Sequence, residues 1–169
     1  MASVLKLFWN ICVLRRGPEL VPSHTWFVAT LIAVDVVCSV LVTHSFSAET
    51  NVFKTVGYLV IVITTTAALT WFALFVRNLT ARFQAVLAAL VGCDILLTAM
   101  LGALLVLNAL MQAPAATLFT GIFHVWAIVV WGFIYKRAFD SNLTLGVLIA
   151  FGVMFISFLI GQVAIGPAG

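Results

Sequence analysis

Charge is what this chain has least of. Only 8% of its 169 residues are Asp, Glu, Lys or Arg, where an ordinary soluble domain carries about 25%. Eight basic and five acidic side chains cannot cover a water-soluble fold of this size, and 64% of the residues are hydrophobic. That excludes a soluble globular protein and makes lipid the solvent for most of the surface. Long polar stretches are missing too. A helical span takes about 20 residues, so five spans with short connections occupy nearly all of the sequence. Any site must lie in the membrane, at its interfaces or in a short loop.

Signatures of catalysis are also missing. There is no HExxH, GxSxG or Walker loop, so an enzyme is not expected. The segment Val91-Gly92-Cys93-Asp94 lacks both glycines of the GxGD segment that intramembrane aspartyl proteases carry. Cys12, Cys38 and Cys93 show no ligand spacing, which argues against a disulfide framework or a zinc site. Haem would need two histidines facing each other at matching depth. His44 falls near the outer end of its apolar run and His124 about 10 Å further in, so no cofactor is expected. The net charge of +3 could suggest nucleic acid in a soluble protein. Here the basic residues flank apolar runs, which reads as membrane orientation and not as a nucleic-acid surface.

What is present is a succession of apolar helical patterns. Residues 1–16, MASVLKLFWNICVLRR, place Ser3, Lys6 and Asn10 on one narrow polar stripe among apolar side chains. This is too short to span and predicts an interfacial amphipathic helix anchored by Trp9. A signal peptide would need a small-residue cleavage site where Arg15 and Arg16 stand. Gly17 and Pro18 stop the helix and Pro22 stiffens the turn that follows. Residues 17–169 then read as a single transmembrane domain with spans at about 25–45, 53–76, 84–111, 116–135 and 143–165. The fold class expected is an all-α, five-helix membrane bundle. Lys6, Arg15, Arg16, Arg77, Arg82, Lys136 and Arg137 would share one side and Lys54 alone the other. The positive-inside rule puts that side, and the amino terminus, in the cytoplasm and the carboxyl terminus outside.

Two carboxylates interrupt the apolar runs. Asp35 and Asp94 each follow the start of an outward-running helix by about 10 residues, or about 15 Å of rise. No Lys or Arg lies inside a span to pair with them. A buried carboxylate without a cation favours its neutral form, and a second one nearby favours it further, so at least one is expected to be protonated at neutral pH. Ser39 and Thr43 continue the Asp35 face, and Thr98 and Gly102 that of Asp94. With Thr64, Thr65, Thr66 and Thr70 in the second span and His124 in the fourth, these form a candidate polar seam, with Asp35, Asp94, Thr65, Thr98 and His124 as its principal members. Hydrogen bonding between helices would account for such a seam without any ligand. In the fifth span Gly146, Ala150, Ser157 and Gly161 form a small-residue stripe suited to close packing within the bundle, or to homodimerisation. Trp26, Trp71, Trp126 and Trp131 read as belt or bundle aromatics.

The stretch LRRGPELVPSHT, Leu14 to Thr25, resembles small proteobacterial inner-membrane proteins, in which a short interfacial helix ends in a similar Arg-x-Gly-Pro…Pro-Ser segment. The five-span plan also looks like that of the YIP family of membrane-trafficking proteins. The sequence lacks the long hydrophilic amino-terminal region of eukaryotic members, so their GTPase-related partners do not carry over. The resemblance implies the span plan and a bacterial cytoplasmic (inner) membrane, and no functional residues. The function expected is a non-catalytic scaffold or accessory subunit that binds membrane-protein partners, or further copies of itself, through helix faces. The alternative is a small transporter or proton-coupled channel using Asp35 and Asp94.

Overall fold

The computed structural model describes residues 2–46, 51–111 and 115–165. Glu49, Thr50, Gln112 and Pro114, which the sequence puts between the expected spans, and the tail after Ile165, expected outside, lie outside the described residues. Among the described residues six α-helices follow one another: α1 Ala2–Cys12, α2 Thr25–Phe46, α3 Val52–Val76, α4 Phe83–Met111, α5 Ala115–Ala138 and α6 Leu143–Ile165. The last five are long and apolar enough to cross a membrane, and the protein is an integral membrane protein of the all-α, five-span class. No predicted span boundary is off by more than three residues. At 29 residues, α4 is about 43 Å long and overreaches a hydrocarbon core of about 30 Å.

Local chemistry explains where the helices stop. After α1, α3 and α5 the chain turns through Leu14, Asn78 and Asp140, with φ of 59°, 56° and 49°. In each case the following amide bonds back to a last-turn carbonyl: Arg15 N to Asn10 O at 2.8 Å, Leu79 N to Leu74 O at 2.8 Å and Ser141 N to Lys136 O at 3.0 Å. This is the Schellman arrangement, which satisfies carbonyls the helix would leave bare. Asn and Asp tolerate the left-handed conformation; Leu14 adopts it at a steric cost. Asn51 and Asn142 cap the starts of α3 and α6, accepting from Phe53 N at 2.9 Å and from Leu145 N at 2.8 Å.

Arg82 of the α3–α4 connection reaches the carbonyl of Ala138 at the end of α5, and Gln84 at the start of α4 reaches Thr25 at the start of α2. These contacts gather the first turns of α2 and α4 and the last turn of α5 at one end of the bundle. Arg15, Arg16, Arg77, Arg82, Lys136 and Arg137 all fall in the segments that turn there, and this is called the basic end below. Cations just after helix carboxyl termini also complement the helix dipoles.

Lys6 is not among them, because α1 carries it away from that end. The helix does not rest on lipid alone. Phe8, Ile11 and Cys12 are buried, and a Cβ on Gly92 of α4 would collide with the Phe8 ring. Leu5, Lys6 and Trp9 line a shallow groove with Leu96, whereas Pro18 shares a cleft with Ala85 and Val86. The amino-terminal segment therefore runs antiparallel to α4 over roughly three turns, filling the groove beside it. Cys12 and Cys93 are free, buried thiols, and Cys93 Sγ lies 4.0 Å from the Phe8 carbonyl oxygen.

Lipid supplies no hydrophobic drive between helices, so close approach rests on shape and on polar bonds. The α6 stripe shows both. Gly146, Ala150, Ser157 and Gly161 are all buried, but they face two different neighbours. A Cβ on Gly146 would strike the Gly132 carbonyl of α5, and one on Gly161 would lie 2.6 Å from the Tyr58 ring of α3. Between them Thr66 Oγ1 of α3 donates to Ser157 Oγ at 3.0 Å. Outward-facing positions carry large apolar side chains instead, such as Phe53, Leu118, Ile122 and Leu148, which suit contact with lipid acyl chains.

Candidate functional site: a paired-carboxylate cavity

Helices α2 and α4 lie side by side and parallel, and two contacts fix their register. Thr25 and Gln84, 59 residues apart, are joined by a 3.2 Å hydrogen bond. Further along, Gly102 receives Val42, whose Cγ2 would lie 3.0 Å from a Cβ at that glycine. Asp35 and Asp94 have the same separation as the first pair, so the register sets them level.

Both line one cavity of about 50 Å³. A water needs about 10–15 Å³ of such space and two or more polar partners, so the cavity has room for a few waters or a small ion and not for an organic substrate. Asp35 is 3% exposed, and its Oδ1 has no hydrogen-bond partner among the described residues. Asp94 is half-buried, one residue beyond the run Val86–Cys93, in which every residue is buried. Across the cavity stand Thr66 of α3 and Trp131 of α5. Trp131 Nε1 is likewise buried without a partner among the described residues. Val62, Ile63, Leu87, Leu90 and Val91 make the rest of the wall apolar. Among the described residues no Lys, Arg or His lines the cavity.

Beyond Thr66 the polar contacts continue through the bundle. One turn further along α3, Thr70 Oγ1 and the Tyr135 hydroxyl of α5 are 2.7 Å apart, and both residues are fully buried. Thr66, Thr70 and Leu74 are the buried residues of α3, one face repeating every four positions. Thr65 is half-buried and Thr64 exposed; neither lines the cavity. Among the three consecutive threonines only Thr66 has another threonine four positions on, and that spacing was the signal for it. Thr98 is half-buried on the turn after Asp94, also outside the cavity wall. His124 is exposed on α5, its Nδ1 2.8 Å from the Thr120 carbonyl oxygen of its own helix. The structure thus brings together Asp35 and Asp94, adds Thr66 and Trp131, and leaves Thr65, Thr98 and His124 outside. From sequence Trp131 reads as a belt or bundle aromatic like the other tryptophans, because nothing in the local sequence shows which one turns inward.

Among the described residues no three His, Cys, Asp or Glu side chains are placed to hold a metal ion. The chemistry the cavity offers is narrower. Two carboxylates, a hydroxyl and an indole N–H surround a small space without a compensating cation, an arrangement that can hold a proton between two oxygens or exchange it with a small cation. No protein-family model matches the chain, and no curated protein or solved structure does either.

Proposed function

We propose that the protein is a small proton-coupled transporter or channel, with Asp35 and Asp94 as its proton-carrying pair. The observation that carries this reading is their convergence, level on parallel neighbouring helices, on one small cavity whose wall holds no cation. Two carboxylates in a low-dielectric site cannot both ionise without a large desolvation and repulsion cost. One proton shared by the pair relieves that cost, and its loss or replacement by a cation is then a step the protein can couple to movement. Ionisable residues inside a membrane protein mark ion pathways, proton relays or ligand counter-ions, and the first two fit a cavity this small. A scaffold role, by contrast, draws on carboxylates at helix faces that await a partner helix, and the buried side chain of Asp35 favours the transport reading over that one. We read the basic end as the cytoplasmic face of a bacterial inner membrane, from the positive-inside rule.

The test is proton flux into proteoliposomes under an imposed pH gradient and membrane potential. Wild-type protein is expected to conduct or exchange protons, and Asp35→Asn and Asp94→Asn to lose at least about tenfold of that flux with unchanged helicity and elution profile. Flux that survives both substitutions contradicts the proposal.

A further inference from the structure

At the basic end the segment Gly17–Leu20 closes over a second and larger cleft, of about 440 Å³, within the range of small-molecule sites. Four charged residues from three parts of the chain line it: Glu19, Arg82, and Arg137 with Asp140. Arg82 Nη1 is held by Asp140 Oδ2 at 2.7 Å and by the Ala138 carbonyl at 3.0 Å. Both bonds use one nitrogen, so the guanidinium keeps further donors. Arg137 stands with its guanidinium 5.6 Å from the centre of the Phe133 ring. Asp140 is placed by its left-handed turn at φ 49°.

Glu19 folds back against a residue without a side chain. Gly17 has φ −92°, a conformation open to any residue, so its backbone freedom is not what is used. A Cβ there would collide with the Glu19 carboxyl group, whose Cδ would be 2.8 Å away. The carboxylate lies in the space a side chain at Gly17 would use, and Pro18 fixes the backbone between the two residues. Neighbouring Leu20 is 57% exposed, an apolar contact next to a charged site at the end of a membrane bundle.

Two guanidinium groups and two carboxylates suit neither a simple anion nor a simple cation. An anion would meet Glu19 and Asp140, and a cation would meet both arginines. The geometry points to a ligand that carries both signs a few ångströms apart: a phosphate ester bearing a primary ammonium, that is, a phosphoethanolamine group. Its phosphate would take guanidinium N–H groups, and its ammonium N–H groups would be shared between Glu19 and Asp140. A quaternary ammonium has no N–H to give them. The source is either a phospholipid headgroup or free O-phosphoethanolamine, and the site is separate from the carboxylate cavity, so it stands whether or not that cavity moves protons.

The test is equilibrium binding of short-chain phosphatidylethanolamine, phosphatidylcholine and phosphatidylglycerol to the full-length protein in detergent, read by native mass spectrometry. Phosphatidylethanolamine is expected to bind at least about tenfold more tightly than either of the others. Competition by free O-phosphoethanolamine would make the headgroup alone sufficient, and its failure to compete would assign the ligand to lipid. Glu19→Gln and Asp140→Asn are expected to erase the preference over phosphatidylglycerol, and Arg137→Gln to weaken both lipids. Asn keeps the left-handed turn at position 140, so that variant removes charge and not the fold. Equal binding of the three lipids by wild type, or a preference that survives Glu19→Gln and Asp140→Asn, would overturn the assignment.

Discussion

The two halves of the bundle are packed differently, and α4 shows it most clearly. From Val86 to Cys93 every residue is buried, whereas from Ala99 to Ala109 only Gly102 is. Helix α5 repeats the contrast: Val130–Tyr135 is one buried run, and Leu118–Ala127 contains no buried residue. Helix α1 and the Gly17–Leu20 segment account for much of the difference, because they fill the groove beside α4 in the half nearer the basic end only. Glycine notches reinforce them, at Gly92 for Phe8 and at Gly132 and Gly146 for the α5–α6 contact. The lesson is that composition does not decide where a lipid-solvated bundle compacts. The long helices are apolar in both halves; the dense half of α4 and α5 is the one that α1 covers and that the Thr70–Tyr135 bond crosses, while single notches, Val42 at Gly102 and Tyr58 at Gly161, hold the other half. Asp94 stands where the dense run ends, which gives its cavity a rigid wall on one side and looser neighbours on the other.

Phe8→Ala should disturb this contrast most, because it empties the notch at Gly92 and loosens the dense half. A loss of about 3 kcal/mol is expected, read as a lower midpoint in denaturant or thermal unfolding in detergent. Gly92→Ala should be harmful alone and close to neutral in the Phe8→Ala background, a coupling that a double-mutant cycle measures. Gly146→Ala comes next, at about 1–3 kcal/mol, because the new methyl meets backbone atoms of α5 that cannot swing aside. Gly121→Ala, in the open half with nothing within 4 Å of its Cβ position, should be neutral or stabilising by up to about 1 kcal/mol through helix propensity. If the two alanines cost the same, the packing contrast is wrong.

Smaller effects sharpen the picture. Thr66→Val and Thr70→Val each remove one interhelical hydrogen bond and are expected to cost about 0.6 kcal/mol, with Tyr135→Phe matching Thr70→Val. The Arg82–Asp140 pair, whose side chains are 42% and 71% exposed, should contribute least, about 0–1 kcal/mol, and less still in high salt.

Much of this was legible in the sequence, and particular residues show why. The spans could be read because apolar runs of that length have few other uses, and because Asn51, Asn78, Asp140 and Asn142 mark the breaks. The pairing of Asp35 with Asp94 could be anticipated because both stand at the same depth in helices running the same way. The small-residue stripe on α6 shows itself by spacing, but not that Gly146 serves α5 while Ser157 and Gly161 serve α3. The docking of α1 was hidden, since a helix apolar on nearly every side does not announce which face is covered. For the same reason Lys6 was grouped with the other basic residues, although it lies alongside Leu96. Trp131 and the choice of Thr66 over Thr65 depend on helix rotation, which a bundle apolar on both faces leaves unmarked.

Whether Asp35 and Asp94 hold a proton between them can be read by infrared spectroscopy of the protein in lipid at neutral pH. A carbonyl band of a protonated carboxylic acid is expected in the wild type and absent from the Asp35→Asn/Asp94→Asn double variant. A wild type without that band, or a double variant that keeps it, would contradict the account.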